Sequence, residues 1–147
     1  MLFRSPNGEK IDDNYQLIVK IHENVKANFT KTNNSLNLFV KGITVVINKF
    51  PFKITYSSNG KVLLSEKNGF TKVNDSTQTL SFNLDNSEAL YGGGARALGM
   101  NRRGNRLQLY NRAHYGYETK AELMNFCIPL VMSSKLYAVH FDNAAIG

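Results

Sequence analysis

The chain has 147 residues and a formal charge of +7, and its 42% apolar, 11% aromatic and 20% charged residues are too apolar and too weakly charged for an intrinsically disordered polymer. The length suits one domain with a single core. No run reaches the ~18 to 20 apolar residues that a membrane-crossing helix needs, and the opening Met1-Leu2-Phe3-Arg4-Ser5-Pro6 lacks the apolar centre of a signal peptide.

Residues 15–22 (Tyr-Gln-Leu-Ile-Val-Lys-Ile-His) are rich in β-branched and aromatic side chains, and residues 25–30 follow after a short polar break, so the first segment reads as strand, turn, strand. Ile43, Val45 and Ile47 share one parity, Pro51-Phe52 interrupts, and Phe52, Ile54 and Tyr56 share the next. Ser57-Ser58-Asn59-Gly60 then supplies turn chemistry before Val62 and Leu64 continue the alternation. Asn-Gly between two alternating apolar runs predicts a hairpin, because both central residues of a type I′ turn need positive φ. Further strands are expected at 69–73, 79–84, 106–110, 126–132 and 136–141, each bounded by Asn, Asp, Gly or Ser. Residues 119–126 are the one stretch compatible with a helical turn or two. Short, closely spaced strands without intervening long helices predict an all-β antiparallel sandwich or barrel.

Candidates for chemistry are few. Cys127 is the one cysteine, which excludes an internal disulfide and a cysteine-based zinc site. It lies in the apolar run Phe126-Cys127-Ile128-Pro129-Leu130-Val131-Met132, where a thiol behaves as a small buried hydrophobe. His22, His114 and His140 lack metal-ligand spacing. His22 and His140 belong to strand patterns, whereas His114 sits in the loop-like aromatic run Tyr110-Asn111-Arg112-Ala113-His114-Tyr115-Gly116-Tyr117. Tyr91-Gly92-Gly93-Gly94 resembles a phosphate cradle but has no Lys-Ser/Thr and no helix pattern after it, so a bulged strand end or a close backbone approach explains it better. Five of the six arginines, Arg96, Arg102, Arg103, Arg106 and Arg112, fall in one window without an acid. Such a window suits single-stranded nucleic acid and equally an interface that pairs carboxylates.

Taken in order, Tyr91-Gly92-Gly93-Gly94-Ala95-Arg96, Asn101-Arg102-Arg103-Gly104, Leu109-Tyr110-Asn111-Arg112, Ile128-Pro129-Leu130, Ser133-Ser134-Lys135 and Phe141-Asp142-Asn143 form a set that resembles the N-terminal β-sandwich domain of glycoside hydrolase family 31. The resemblance covers residues 43–147. It implies a galactose-mutarotase-like antiparallel sandwich over 1–147, the N-terminal part of a larger retaining α-glucosidase, α-xylosidase or α-transglucosylase whose catalytic (β/α)₈ barrel follows. Retention there uses two carboxyls ~5 to 5.5 Å apart on that barrel, so no catalytic residue, metal or cofactor is expected in this chain, and the chain alone is expected to be inactive.

The same resemblance places Asn111, Arg112, Ala113, His114, Tyr115 and Tyr117 on a loop that reaches the substrate pocket, with α-linked glucose oligosaccharide as the ligand. Arg96, Arg102, Arg103 and Arg106 become candidates for the interface with the barrel. Ala95 replaces a glutamate of many members, and Ala113 replaces an aspartate that touches sugar in several. The Gly-Gly-Gly-x-Arg spelling is similar to the transglucosylase branch, which implies an altered acceptor site. Without the barrel, the exposed arginines and apolar surface imply self-association. A stand-alone carbohydrate-binding module on Tyr110, Tyr115 and Tyr117 and a basic nucleic-acid-binding domain are the alternatives.

Overall fold

The computed structural model describes residues 26–122, 124–141 and 147; the strand expected at 15–22, His22, and Asp142-Asn143 lie outside them. The described residues hold nine strands, all paired antiparallel, and no helix. They fall into two compact units that divide between Glu88 and Ala89.

The first unit is a six-stranded meander in sequence order: β1 (Asn28–Lys31), β2 (Ser35–Val40), β3 (Ile43–Lys49), β4 (Phe52–Ser58), β5 (Lys61–Lys72) and β6 (Gln78–Asn83). Register sorts its side chains. Phe29, Leu38, Val45, Tyr56 and Leu64 are successive cross-strand partners, and the adjacent row runs Leu36, Ile47, Ile54. The next row on the opposite face reads Thr30, Asn37, Val46, Thr55, Ser65, Asn83. One face is therefore apolar, with Ile54 and Leu64 buried in it. The other is mostly polar, and Asn83 Nδ2 donates to Ser65 Oγ across it at 3.0 Å. Period-two alternation is what separates the two faces.

The Asn59-Gly60 turn has the two positive φ values expected of it, 49° and 75°. Lys41-Gly42 repeats the device at 44° and 82° between β2 and β3, so a residue without asparagine's preference for positive φ fills the same role. β2 lies outside the strands expected from sequence, although Leu36, Leu38 and Val40 share a parity. The separate strands expected before residue 65 and at 69–73 are one strand, β5, with an irregular stretch between Glu66 and Phe70. There the Glu66 side chain, 1% exposed, enters the ladder: the Ile54 N–H lies beyond the last β4–β5 pair and donates to Glu66 Oε2 at 2.9 Å. A Cβ on Gly69 would come within 2.7 Å of the Phe52 carbonyl oxygen, so only glycine lets β5 bend there. Burial first, and the Glu66 charge second, push the Tyr56 phenol up to about 12.

The second unit holds a three-stranded sheet, β7 (Leu90–Gly92), β8 (Leu130–Ser133) and β9 (Ala138–His140), in the order β7-β8-β9. In place of the strand expected at 126–132, β8 begins only at Leu130 and runs to Ser133, and the strand expected at 136–141 is shortened to β9. Two expectations are corrected here. Residues 106–110 form no strand, because their backbone bonds go to irregular segments, Gln108 N–H to Glu122 O and Leu109 N–H to Gly147 O. The described residues of 119–126 form no helix: Ala121 N–H closes a turn on Glu118 O, and Lys120 has φ 70°, which a right-handed helix does not accommodate.

Candidate functional site

The arginines and the aromatic run nominated from sequence lie on one long excursion, residues 93–129, between β7 and β8. Its entry is the triple glycine. Gly92, Gly93 and Gly94 have φ of 100°, 79° and 82°. A Cβ on Gly94 would lie 2.6 to 2.7 Å from backbone atoms of Phe126, Cys127 and Ile128, and one on Gly93 would meet Leu107 at 2.6 Å. Gly93 N–H donates to Leu130 O and Ala95 N–H to Phe126 O, each at 3.0 Å. These glycines thus serve close backbone packing and do not converge on an anion. Cys127 is buried against them.

Arg96 ties the excursion together. It is 8% exposed, and its Nε, Nη1 and Nη2 donate to Gly93 O at 2.9 Å, Glu122 O at 2.7 Å and Gln108 O at 2.8 Å. Burial is the main force pushing this guanidinium below its ordinary value; Cys127 opposes the shift and Arg102 adds to it. A guanidinium keeps its charge in proteins, and its planar fork suits three acceptors held in fixed directions. Arg102 makes a second clasp, with Nε to Gly92 O at 3.1 Å and Nη1 to Leu98 O at 3.1 Å and Gly99 O at 2.8 Å. Arg96 and Arg102, both expected at an interface, donate to carbonyls of their own unit, since irregular backbone leaves carbonyls that no strand neighbour can satisfy. Arg106 stays at the surface, 3.6 Å from the Glu122 carboxylate. Arg103 is half-buried and Arg112 exposed.

The aromatic run is held by side chains. Cys127 N–H donates to Asn111 Oδ1 at 2.7 Å, and His114 N–H to Asn125 Oδ1 at 2.6 Å. Lys120 N–H donates to Ala97 O at 2.8 Å. Between these anchors Tyr115 is 90% exposed and Tyr117 48% exposed. Ala113 is exposed and His114 half-buried. An open cleft of about 770 Å³ adjoins the run, lined by residues 96–99, Asn105 and residues 117–120. Tyr117, Glu118, Thr119 and Lys120 give it an aromatic face, an acceptor, a hydroxyl and a donor. Among the described residues, no group of three His, Cys, Asp or Glu side chains is placed to hold a metal. Sequence reasoning missed Asn125, because an asparagine in a coil segment carries no spacing signal for an amide eleven residues away.

A family profile described as the glycosyl hydrolase 31 N-terminal galactose mutarotase-like domain matches residues 2–147. No curated protein sequence matches the chain. Among solved structures, a GH31 dextranase of Flavobacterium johnsoniae complexed with isomaltotriose superposes with a TM-score of 0.87 at 23% identity, over 97% of this chain and 18% of the dextranase. The GH31 α-xylosidase of Xanthomonas citri gives 0.69 at 23% identity, over 96% of this chain and 15% of that one. The cycloalternan-forming enzyme of Listeria monocytogenes, in complex with a pentasaccharide substrate, gives 0.66 at 20% identity, over 78% and 12%. The chain thus spans less than a fifth of the length of each of these structures.

Proposed function

Because the chain belongs to the glycosyl hydrolase 31 N-terminal galactose mutarotase-like domain family, we propose that it is the non-catalytic sandwich domain of a longer retaining α-glycosidase acting on α-glucosides. In this role it packs on a catalytic barrel and lends the loop of residues 111–117 to the substrate pocket. The observation that carries the reading is the presentation of that loop. Its anchors are three short hydrogen bonds, yet Tyr115 and Tyr117 remain open to solvent. Aromatic rings offer an apolar face to a sugar ring while polar neighbours take its hydroxyls. Two of the solved structures with this fold hold oligosaccharides, which supports an α-glucan as the ligand class. Among the arginines expected at the barrel interface, Arg103 is half-buried and Arg106 lies at the surface, and these two are the ones proposed to face the barrel.

The test is a titration of the chain with isomaltotriose, maltotriose and a single-stranded oligonucleotide at two salt concentrations. Saccharide binding that is insensitive to salt and weakened by Tyr115→Ala is expected. Oligonucleotide binding that falls steeply with salt, with no saccharide binding, would replace this reading with a nucleic-acid one. Release of nitrophenol from an α-glucoside by the chain alone would overturn the non-catalytic assignment.

A further inference from the structure

The excursion that carries the aromatic run forms no strand pairs with itself among the described residues, so no backbone ladder sets the direction of its tip. Besides the Arg96 bonds and the Ala95–Phe126 and Gln108–Glu122 backbone bonds, two asparagines join the legs, one from each leg. Asn111 on the outgoing leg accepts from the Cys127 amide of the returning leg, and Asn125 on the returning leg accepts from the His114 amide of the outgoing leg. The pairs are nested, with 114–125 inside 111–127. The inner bond is therefore the last fixed point before Tyr115, and the Lys120 N–H on Ala97 O is the first one after Tyr117.

We propose that Asn125 is a positioning residue that aims the Tyr115-Gly116-Tyr117 tip through the His114 amide, and so sets how tightly the tip holds a saccharide. The ligand half of this proposal rests on the function proposed above; the conformational half does not. Removing the Asn125 acceptor moves the fixed point before the tip from residue 114 back to residue 111. The free span grows from the residues between 114 and 120 to those between 111 and 120, and a longer tether samples more directions at an entropic cost on binding. Asn125 is exposed, so its replacement leaves Cys127, Arg96 and their packing in place.

The experiment compares the wild-type chain with Asn125→Ala, Asn125→Asp and Tyr115→Ala by amide hydrogen exchange and by isomaltotriose titration. Asn125→Ala is expected to speed exchange at His114 about fivefold, the loss of one hydrogen bond, and to weaken saccharide binding several-fold while the melting temperature falls by no more than about 3 °C. Asn125→Asp retains the acceptor oxygen and is expected to restore both. The double variant Asn125→Ala/Tyr115→Ala is expected to bind no worse than Tyr115→Ala alone, since both act through one tip. Unchanged exchange at His114 and at residues 115–117 in Asn125→Ala overturns the positioning role outright. Faster exchange with unaltered affinity overturns its link to binding. If the wild-type chain binds no saccharide, the function proposed above fails and takes the ligand role with it, while the exchange data still decide whether Asn125 orders the tip.

Discussion

Arg96→Ala tests whether a buried guanidinium, rather than strand pairing, holds the second unit together. The substitution removes donors from three carbonyls. Glu122 O keeps the Gln108 N–H at 3.2 Å as a partner, whereas Gly93 O and Gln108 O lose the arginine donors at 2.9 and 2.8 Å. Gly93 O is buried and Gln108 O part-buried, and an acceptor left without a donor costs about 1–3 kcal/mol, so the expected loss is about 3–4 kcal/mol. At about 3 °C per kcal/mol for a domain of this size, the melting temperature should fall by about 10 °C. Arg96→Lys keeps a charge but replaces a three-way fork with a single ammonium, and it should lose about half as much. Arg112→Ala, an exposed control, should stay within about 0.5 kcal/mol. Urea titration followed by circular dichroism, together with a thermal scan, measures all three. A loss below about 1 kcal/mol in Arg96→Ala, or a lysine variant equal to wild type, would refute the clasp.

Three further outcomes follow from the same structure. Gly94→Ala places a methyl group against three backbone atoms at positive φ and should cost about 3 kcal/mol or more, whereas Gly60→Ala, at φ 75° with open space around it, should cost about 1 kcal/mol; equal losses measured in urea would show that packing at Gly94 does not matter. The Tyr56 phenol is raised to about 12, above its ordinary value of ~10, so the folded state favours the neutral form, and that contribution is whole below pH 10 and is lost as the pH climbs through 12. Relative to Tyr56→Phe, the wild type should therefore lose about 1 kcal/mol across that window once solvent screening of this half-buried group is allowed for, and parallel alkaline unfolding curves for the two proteins would contradict it. Glu66→Ala should cost about 2–3 kcal/mol because it strands the buried Ile54 N–H, while Glu66→Gln, which keeps an acceptor, should cost less than half of that; the same urea titration separates them, and equal losses would mean that the carboxamide cannot take over the ladder position.

Read alone, the sequence determined the all-β antiparallel class, the Asn59-Gly60 hairpin, the buried Cys127 and the loop that bears the aromatic run. These depend on local rules: parity along a strand, positive φ in a turn, and the placing of apolar runs. The split of β5 into two expected strands marks the limit of those rules, because Ser65 to Gly69 has turn composition and its bend is tolerated only where Glu66 reaches the Ile54 amide. The failed strand at 106–110 has the same origin. Its residues alternate suitably, but Gln108 and Leu109 find their hydrogen bonds in Glu122 and Gly147, partners that only the fold brings near. Tertiary structure also shows where two arginines of the window donate. A guanidinium on a partner's carboxylate and one on its own backbone carbonyls look identical in sequence, and the difference lies in which acceptors the irregular excursion leaves unsatisfied. Arg96 and Arg102 answer that local need, so the part of the +7 charge they carry is structural, and the surface charge of this region falls to the arginines around them.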